Sequence, residues 1–493
     1  LEDNKEQLVA IKHNEVYMKI KCERHVAQEL SDFFTFFVPG YRFVPAFKNK
    51  IWDGKIRLFN LRTSELYMGL LGYLEQFCND RDYELTHNFV EDAFSVYHAN
   101  KFIDTLNLPF KVNDHQLDAF VHAMQSRRAM LISPTASGKS LIIYMLVRQF
   151  LDYQNLRGLI IVPTTSLVEQ LSKDFEEYGW DSDNHVHKIY QGKAKHTDKP
   201  VTISTWQSLY TLDPKYFEQF DYVIGDEAHL FKSQSLTTIL TSCVNTKYRV
   251  GLTGTLDGTK THKLVLEGLF GPVEQVITTK EMIDKNIASS FNIKCLILKH
   301  PDEVCIENKG MTYAEELQFL IANEARNKFI KNLAVSLEKN TLILYQMVDK
   351  HGKILYNMIK ETEKLGNRKV FFVHGSTDTE DREAIRSIME KENGAIIVAS
   401  YGTFSTGINI KNLSNIIFAS PSKSRVRNLQ SIGRGLRKSE NKDGATLYDI
   451  SDDMRTKKHM NFTLRHFVER VKIYNEEKFP FKTYKIGLKY EQR

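Results

Sequence analysis

Cysteine is scarce in this sequence. Five occur in 493 residues, at positions 22, 78, 243, 295 and 305, with no CxxC spacing and an odd total. That excludes a disulfide scaffold, and free thiols in a reducing compartment are expected. No Cys/His cluster has zinc spacing, so no zinc is expected. Proline is also scarce, at 11 residues, and no long Pro-, Gly- or Ser-rich linker interrupts the chain. Long apolar runs are missing. Stretches such as 141–147 and 159–162 are far shorter than the roughly 20 residues of a bilayer span, so no membrane partner is expected. The opening residues, LEDNKEQ, are polar and show no basic segment followed by an apolar one. No secretory leader is expected, the start without Met reads as trimmed or processed, and a cytoplasmic protein is expected. An excess of one charge is missing too. Lys+Arg is 67 against Asp+Glu 61, a net charge of +6, too small to mark a nucleic-acid partner by itself. What remains is an ordinary globular mix, 42% hydrophobic and 26% charged. That excludes a disordered, collagen-like or coiled-coil chain. The length allows about three domains.

The patterning changes near residue 105. Before it, short apolar-aromatic runs alternate with turns. After it, bare apolar runs at 129–133, 158–162, 201–204, 221–224 and 248–252 alternate with helical stretches. A second series follows the polar stretch 278–290, at 293–298, 341–345, 370–373, 395–399, 415–419 and 445–449, with helical patterns at 313–337 and 350–363. Bare apolar strands separated by helices indicate parallel sheets covered on both faces. The expected fold class is therefore α/β, two tandem parallel-sheet domains behind a small α+β N-terminal module. The expected boundaries are 1–105 for an N-terminal accessory module, 106–290 for the first domain, and 291–493 for the second with a short C-terminal extension.

Residues 133–140 read Ser-Pro-Thr-Ala-Ser-Gly-Lys-Ser after one run and before a helical stretch, 140–151. This matches the phosphate-binding loop GxxxxGK[ST], with Ser133 in place of the first Gly. Backbone N–H groups from Ala136 through Ser137, Gly138 and Lys139 to Ser140 can cradle a β-phosphate at a helix N-terminus, with Thr135 in the same nucleotide-binding loop. Lys139 supplies charge to the β- and γ-phosphates, and the Ser140 hydroxyl is a Mg²⁺ ligand. A chance Gly-Lys-Ser turn is the bland alternative. Further on, Asp226-Glu227-Ala228-His229 follows the run 221–224. A strand there delivers both acids to the carboxyl edge of the sheet, where open α/β folds bind nucleotides. Asp226 is then the Mg²⁺ residue, Glu227 polarises the attacking water, and His229 links the nucleotide site to its neighbours. For Asp-Glu alone, a solvated helix start would be the default reading.

With these residues in place, the chain resembles superfamily 2 helicases of the DEAH type. The loop and the acidic box resemble motifs I and II. Gln116 resembles the adenine-reading glutamine. Residues 162–167, 203–209, 252–256, 400–409 and 430–437 resemble the later motifs, in the family's order and spacing. The resemblance implies RecA-like domains, ATP as substrate and Mg²⁺ as cofactor. It also implies nucleic-acid contacts from Pro163, Thr164 and Thr165; from Thr205, Trp206 and Gln207; from His374, Gly375 and Ser376; and from Ser400 and Thr403. Trp206 and Tyr401 can stack on bases, although an isolated aromatic is more often core. Any single Ser or Thr among these is by itself more simply a helix cap. Residues 422–438 hold six basic residues and no acid, equal to the net charge of the whole chain. A helix there would carry Arg434 and Arg437 at i and i+3 on one face. The resemblance aims both at the γ-phosphate across an interdomain cleft, one as an arginine finger, with Gln430 one turn earlier. By the same resemblance the segment 406–409, with Gly407, would sense the closed state.

Residues 33–59 carry nine aromatics, five basic residues and one acid. Alternation puts Lys55 and Arg57 on one strand face, suited to a DNA backbone, or else merely exposed beside a small aromatic core. Together with 40–47 and 52–58, this module resembles the N-terminal part of the phage UvsW-type helicases. The resemblance then spans nearly the whole chain. It implies an ATP-dependent DNA helicase, 3′→5′, a monomer on DNA in the host cytoplasm. It implies action on single-stranded and branched duplex DNA, and on RNA–DNA hybrids, through branch migration, fork regression and D-loop or R-loop unwinding in recombination, repair and replication restart. An RNA helicase and a non-motor annealing protein that uses ATP as a switch remain the alternatives.

Overall fold

The computed structural model describes residues 5–89, 92–190, 194–232, 234–407, 410–420, 423–438, 442–457 and 459–490. The chain divides into two compact units, residues 1–133 with 138–277, and residues 278–493 with the loop stretch 134–137. The N-terminal module therefore groups with the first α/β sheet.

The first unit contains a seven-stranded sheet. Its spatial order is Val186–Ile189, Val201–Thr205, Gly158–Val162, Tyr222–Asp226, Tyr248–Thr253, Arg128–Ile132 and Val273–Gln275. Every adjacent pair is parallel. Side chains alternate between faces with period two, and this explains the bare apolar runs. Ile160 and Val162, Tyr222 and Ile224, and Ala129 and Leu131 enter one core, with the helix Lys139–Gln154. Leu159 and Ile161, Val223, and Met130 and Ile132 enter the core on the other face. Both faces are covered, so most of their side chains are apolar.

The N-terminal module is a five-stranded mixed sheet in the order Phe59–Asn60, Glu65–Tyr67, Tyr17–Lys21, Gln7–Lys12 and Glu84–Thr86. A separate two-stranded antiparallel ribbon pairs Thr35–Phe37 with Lys55–Arg57. The module is welded to the α/β part of its unit. Gly69 lies so close to the helix Lys260–Leu269 that a Cβ there would stand 1.9 Å from the Glu267 carbonyl oxygen. Tyr73 donates to Glu267 at 2.7 Å, and Arg128 pairs with Glu15 at 2.7 Å. Arg249, fully buried, donates to the carbonyls of Leu269, Cys243 and Leu240, which closes the ends of two helices.

The second unit holds another seven-stranded parallel sheet. Its order is Val370–Val373, Ile396–Ser400, Thr341–Tyr345, Asn415–Phe418, Gly444–Asp453, Ser290–Lys299 and Phe481–Gly487. The helical stretch expected at 313–337 is two helices, Tyr313–Ala322 and Glu324–Ser336, because the Asn323 side chain accepts the Arg326 N–H and starts the second. Among the described residues no helix is long and apolar enough to cross a membrane.

Candidate nucleotide site and strand-end surface

The phosphate loop joins the strand Arg128–Ile132 to the helix Lys139–Gln154. Ala136 and Gly138 both adopt left-handed backbone, at φ +71° and +82°. Such turns point successive N–H groups to one side and form an anion-binding concavity. Ser137 Oγ donates to the Pro134 carbonyl at 2.6 Å and holds the loop closed. Gln116 is buried, and its Oε1 accepts the Asn113 N–H at 2.9 Å in a capping box at the start of the helix Asp114–Ser126. Its Nε2 lies where a Cβ on Gly138 would be, 2.2 Å away. The glutamine far upstream and the phosphate loop are thus in contact. Lys139 Nζ donates to the Ser133 carbonyl at 3.3 Å and stands 3.9 Å from Glu227.

The strand Tyr222–Asp226 ends at the acidic box. Glu227 has φ +51°, a conformation that costs a non-glycine residue about 1–2 kcal/mol. The turn brings its carboxylate to 3.3 Å from His229 Nδ1 and within reach of Lys139. Thr253, at the end of the strand Tyr248–Thr253, lies 2.9 Å from His229 Nδ1, and its hydroxyl reaches Glu227 at 3.5 Å. Parts of three separate motifs therefore meet at one sheet edge. Burial pushes the Asp226 carboxyl up to about 6, and the adjacent Glu227 adds to the effect. Two acids so placed call for a cation, and their oxygens with the Ser140 hydroxyl are the hard donors that Mg²⁺ takes. Among the described residues, no group of three or more His, Cys, Asp or Glu could hold a metal ion.

Two residues of this site carry no motif signal. Tyr178 Oη is 2.7 Å from Ser140 Oγ, and burial holds its phenol protonated by raising it to about 12. His262 is buried, its Nε2 donating to the His229 carbonyl at 2.8 Å and its Nδ1 lying 2.8 Å from Asp257. Burial alone would raise the Asp257 carboxyl, but hydrogen bonds from Thr259 and the nearby His262 outweigh it and hold the group at about 2.

The residues expected at nucleic acid lie at strand ends, and several hydroxyls there have local roles. Thr164 accepts the Leu167 N–H and caps the helix Thr165–Glu177, which follows the half-buried Pro163, and the side chain of Thr165 itself is exposed. Thr205 is buried against Ser208 at 3.1 Å. Trp206 packs against the core, whereas Gln207 is exposed. In the second unit, Ser400 accepts the Thr403 N–H and lies 2.7 Å from its hydroxyl. Gly375 and Ser376 are exposed, and Ser376 bonds His374 at 2.9 Å. Tyr401 is only 3% exposed and packs on Phe418, which removes it from base stacking. Lys55 and Arg57 do share a ribbon face, but the Arg57 guanidinium is paired with Asp53. Lys55 lies over the Phe37 ring at 5.0 Å.

The helix Arg425–Gly435 carries Gln430, half-buried; the side chain of Arg434 lies outside the described part. The expected i, i+3 pair on one helix is corrected. The helix stops at Gly435, and Arg437 lies beyond it. Lys442 Nζ takes the Gly435 and Arg437 carbonyls, and Ser289 takes those of Leu436 and Arg437, so this backbone bonds outside any helix. Burial lowers the Lys442 ammonium to about 8. Gly407 ends the helix Tyr401–Gly407, and residues 408 and 409 of the same motif lie outside the described residues.

Tandem seven-stranded parallel sheets, the first with this loop and acidic box at its carboxyl edge, put the chain in the class of superfamily 2 helicases. Comparison with known proteins narrows the class. Residues 9–88 match the family described as DNA helicase UvsW, N-terminal; residues 100–258 match the type III restriction enzyme res subunit; and residues 324–439 match the helicase conserved C-terminal domain. The chain is 34% identical to the ATP-dependent DNA helicase uvsW of Enterobacteria phage T4, over 95% of this chain and 97% of that one. The crystal structure of T4 UvsW aligns over 98% of this chain and all of that one, at 32% identity and a TM-score of 0.52. The DNA 3'-5' translocase XPB2 of Sulfurisphaera tokodaii is 23% identical over 71% of this chain and 85% of that protein. The chain belongs to the UvsW family of DNA helicases.

Proposed function

We propose that this protein is an ATP-driven DNA motor that remodels branched DNA: forks, four-way junctions, D-loops and R-loops. The observation that carries the reading is that likeness to a phage DNA helicase runs through the N-terminal module as well as both motor units. The functional division is 1–105, 106–290 and 291–493. In the first motor domain Gln116 reads adenine. The N–H groups of residues 135–140 and the ammonium of Lys139 hold the phosphates. Ser140 and Asp226 hold Mg²⁺, which when bound offsets the charge crowded between phosphates and carboxylates. Glu227 orients the attacking water, with His229 and Thr253 fixing its carboxylate. This is catalysis by positioning and charge, as phosphoryl transfer requires.

From the second motor domain, Arg434 and Arg437 stabilise charge developing on the γ-phosphate, Gln430 binds nucleotide from one turn earlier, and the segment with Gly407 senses the closed state. Backbone and hydroxyl groups at the strand ends track a single strand through its phosphates, without reading sequence. Thr165, Gln207, Gly375 and Ser376 are the exposed members. The protein works as a monomer, 3′→5′, in the host cytoplasm. The test is a panel of ATPase and unwinding assays across single strands, forks, four-way junctions, R-loops and duplex RNA, each at several salt concentrations. Stimulation and unwinding strongest with branched DNA are expected. Stimulation by RNA alone, or duplex opening without hydrolysable ATP, would overturn the reading.

A further inference from the structure

The two strands of the N-terminal ribbon are joined by an excursion, residues 38–54, that is neither core nor floppy loop. Its short helical turns, Tyr41–Phe43 and Pro45–Lys48, are locked by aromatic packing. Tyr41 stacks on Phe37 at 4.7 Å between ring centroids and takes Phe47 edge-on at 4.7 Å. Gly54, at φ +81°, lies under the Tyr41 ring, where a Cβ would approach to 2.4 Å. Trp52 Nε1 donates to the Lys55 carbonyl at 2.9 Å.

What this scaffold presents outward is unusual for a soluble surface. Phe43 is 81% exposed and Ile51 is 79% exposed. Large apolar side chains carried into water on a fixed mount mark a contact site. Arg42, Lys48 and Lys50 line a hollow with Ile51 and Trp52, and Phe43 follows Arg42 in the chain. Asp53, the single acid within 33–59, is paired with Arg57. A partner that offers flat apolar faces within a cage of negative charge is nucleic acid, with its bases bare where a duplex ends.

The mount is tied to the nucleotide site. The ribbon rests on the first residues of the helix Lys260–Leu269: Lys260 lies over the Phe36 ring at 5.2 Å, and Thr261 Oγ1 donates to the Phe37 carbonyl at 3.4 Å. The next residue, His262, bonds the carbonyl of His229 in the acidic box. The tip therefore rides on the element that touches the nucleotide site, as a wedge that must not yield should.

We propose that this tip is the strand-separating wedge. Phe43 and Ile51 pack against the last base pair where two DNA strands part, and Arg42, Lys48 and Lys50 hold the flanking phosphates. The inference rests on the reading of the chain as a DNA helicase. It differs from the reading of Lys55 and Arg57 as a face for the DNA backbone, since Arg57 is paired with Asp53.

The test uses the full chain and its Phe43→Ala/Ile51→Ala variant. Three quantities are measured: ATPase stimulated by single-stranded DNA, unwinding of a fork, and fluorescence of 2-aminopurine placed in the junction base pair before ATP is added. Base–aromatic stacking is strong enough that its loss should slow fork unwinding by about tenfold or more. ATPase on single strands should stay within about twofold, because the motor residues are untouched. Wild type should brighten the junction 2-aminopurine, and the variant should not. Phe43→Trp should keep unwinding. Phe43→Ser, a single change at an exposed position, carries the same expectation as the double variant should that one fold poorly. Fork unwinding at the wild-type rate would overturn the proposal and assign the tip to another partner, such as an acidic protein. Equal loss of single-strand ATPase with an unchanged unfolding midpoint would also overturn it, since the tip would then belong to the strand track. A wild-type protein without DNA-stimulated ATPase would instead defeat the helicase reading beneath it.

Discussion

Replacing Gly138 with alanine isolates how the phosphate loop is built. The residue sits at φ +82°, where a side chain costs roughly 1–2 kcal/mol. The added methyl would also lie 2.2 Å from Gln116 Nε2. That amide is the end of a flexible side chain, but it is buried and its Oε1 holds the Asn113 N–H, so moving it sacrifices a helix cap of about 1 kcal/mol. Together the cost is about 2–3 kcal/mol, or roughly 30- to 150-fold in the population of the native loop. ATP affinity, measured by titration with a fluorescent analogue, should fall by at least about tenfold. A double-mutant cycle on the urea transition of the first unit gives the finer check. Gln116→Ala alone loses the cap. In the presence of Gly138→Ala it should cost almost nothing more, because the cap is already broken. The two single effects should therefore exceed the double effect by about 1 kcal/mol. Strict additivity would refute the contact between Gln116 and the loop as the cause.

His351 should confer a pH dependence on the second unit. Its ring is fully buried between the Ser420 hydroxyl at 2.7 Å and Asn327 Oδ1 at 3.2 Å, partners that suit the neutral tautomer, and burial, then Arg326, pushes it down to about 3. The unfolded imidazole takes up a proton near pH 6.5. Its contribution is therefore complete above that pH and is lost between 6.5 and 3, up to about 5 kcal/mol. His351→Gln should flatten that slope in denaturant titrations, and an unchanged slope would contradict the assignment. Arg470→Met should destabilise by about 3–5 kcal/mol, because it leaves Asp449 buried with only the Tyr474 hydroxyl, and adding Asp449→Leu should recover most of the loss in calorimetry. Gly69→Ala should force its backbone off Glu267 at a cost of about 1–3 kcal/mol, so limited proteolysis should release the N-terminal module faster.

Much of the fold could be read from the chain because the central strands are buried on both faces. Gly158–Val162 and Thr341–Tyr345 match the apolar runs residue for residue, and Val370–Val373, although it is an edge strand, is apolar throughout and matches as well. The strands that escaped notice, Val186–Ile189, Val273–Gln275 and Phe481–Gly487, lie at or near sheet edges, where one side is open and the pattern is diluted by His, Lys, Glu and Gln. Gly435 ended a helix that a simple i, i+3 count would have carried through Arg437. The motif residues of the nucleotide site were legible because phosphate chemistry constrains their type and spacing. Tyr178 and His262 were not, since they reach Ser140 and His229 from 38 and 33 residues away without a recurring pattern. Aromatic and basic residues were the hardest to assign. Tyr401 is core and Arg57 is paired, while Phe43 and Ile51 stand in the open, and composition alone does not distinguish these states.

The coupling of ATP turnover to strand separation through Glu227 is most directly tested with Glu227→Gln, a change that keeps the shape and removes the charge. The variant should bind ATP and forked DNA as wild type does. DNA-stimulated phosphate release should fall by about 10²-fold or more, and fork unwinding should vanish in the same proportion. Fork unwinding that persists while phosphate release is abolished would contradict the motor mechanism. Phosphate release that persists would contradict the role given to Glu227.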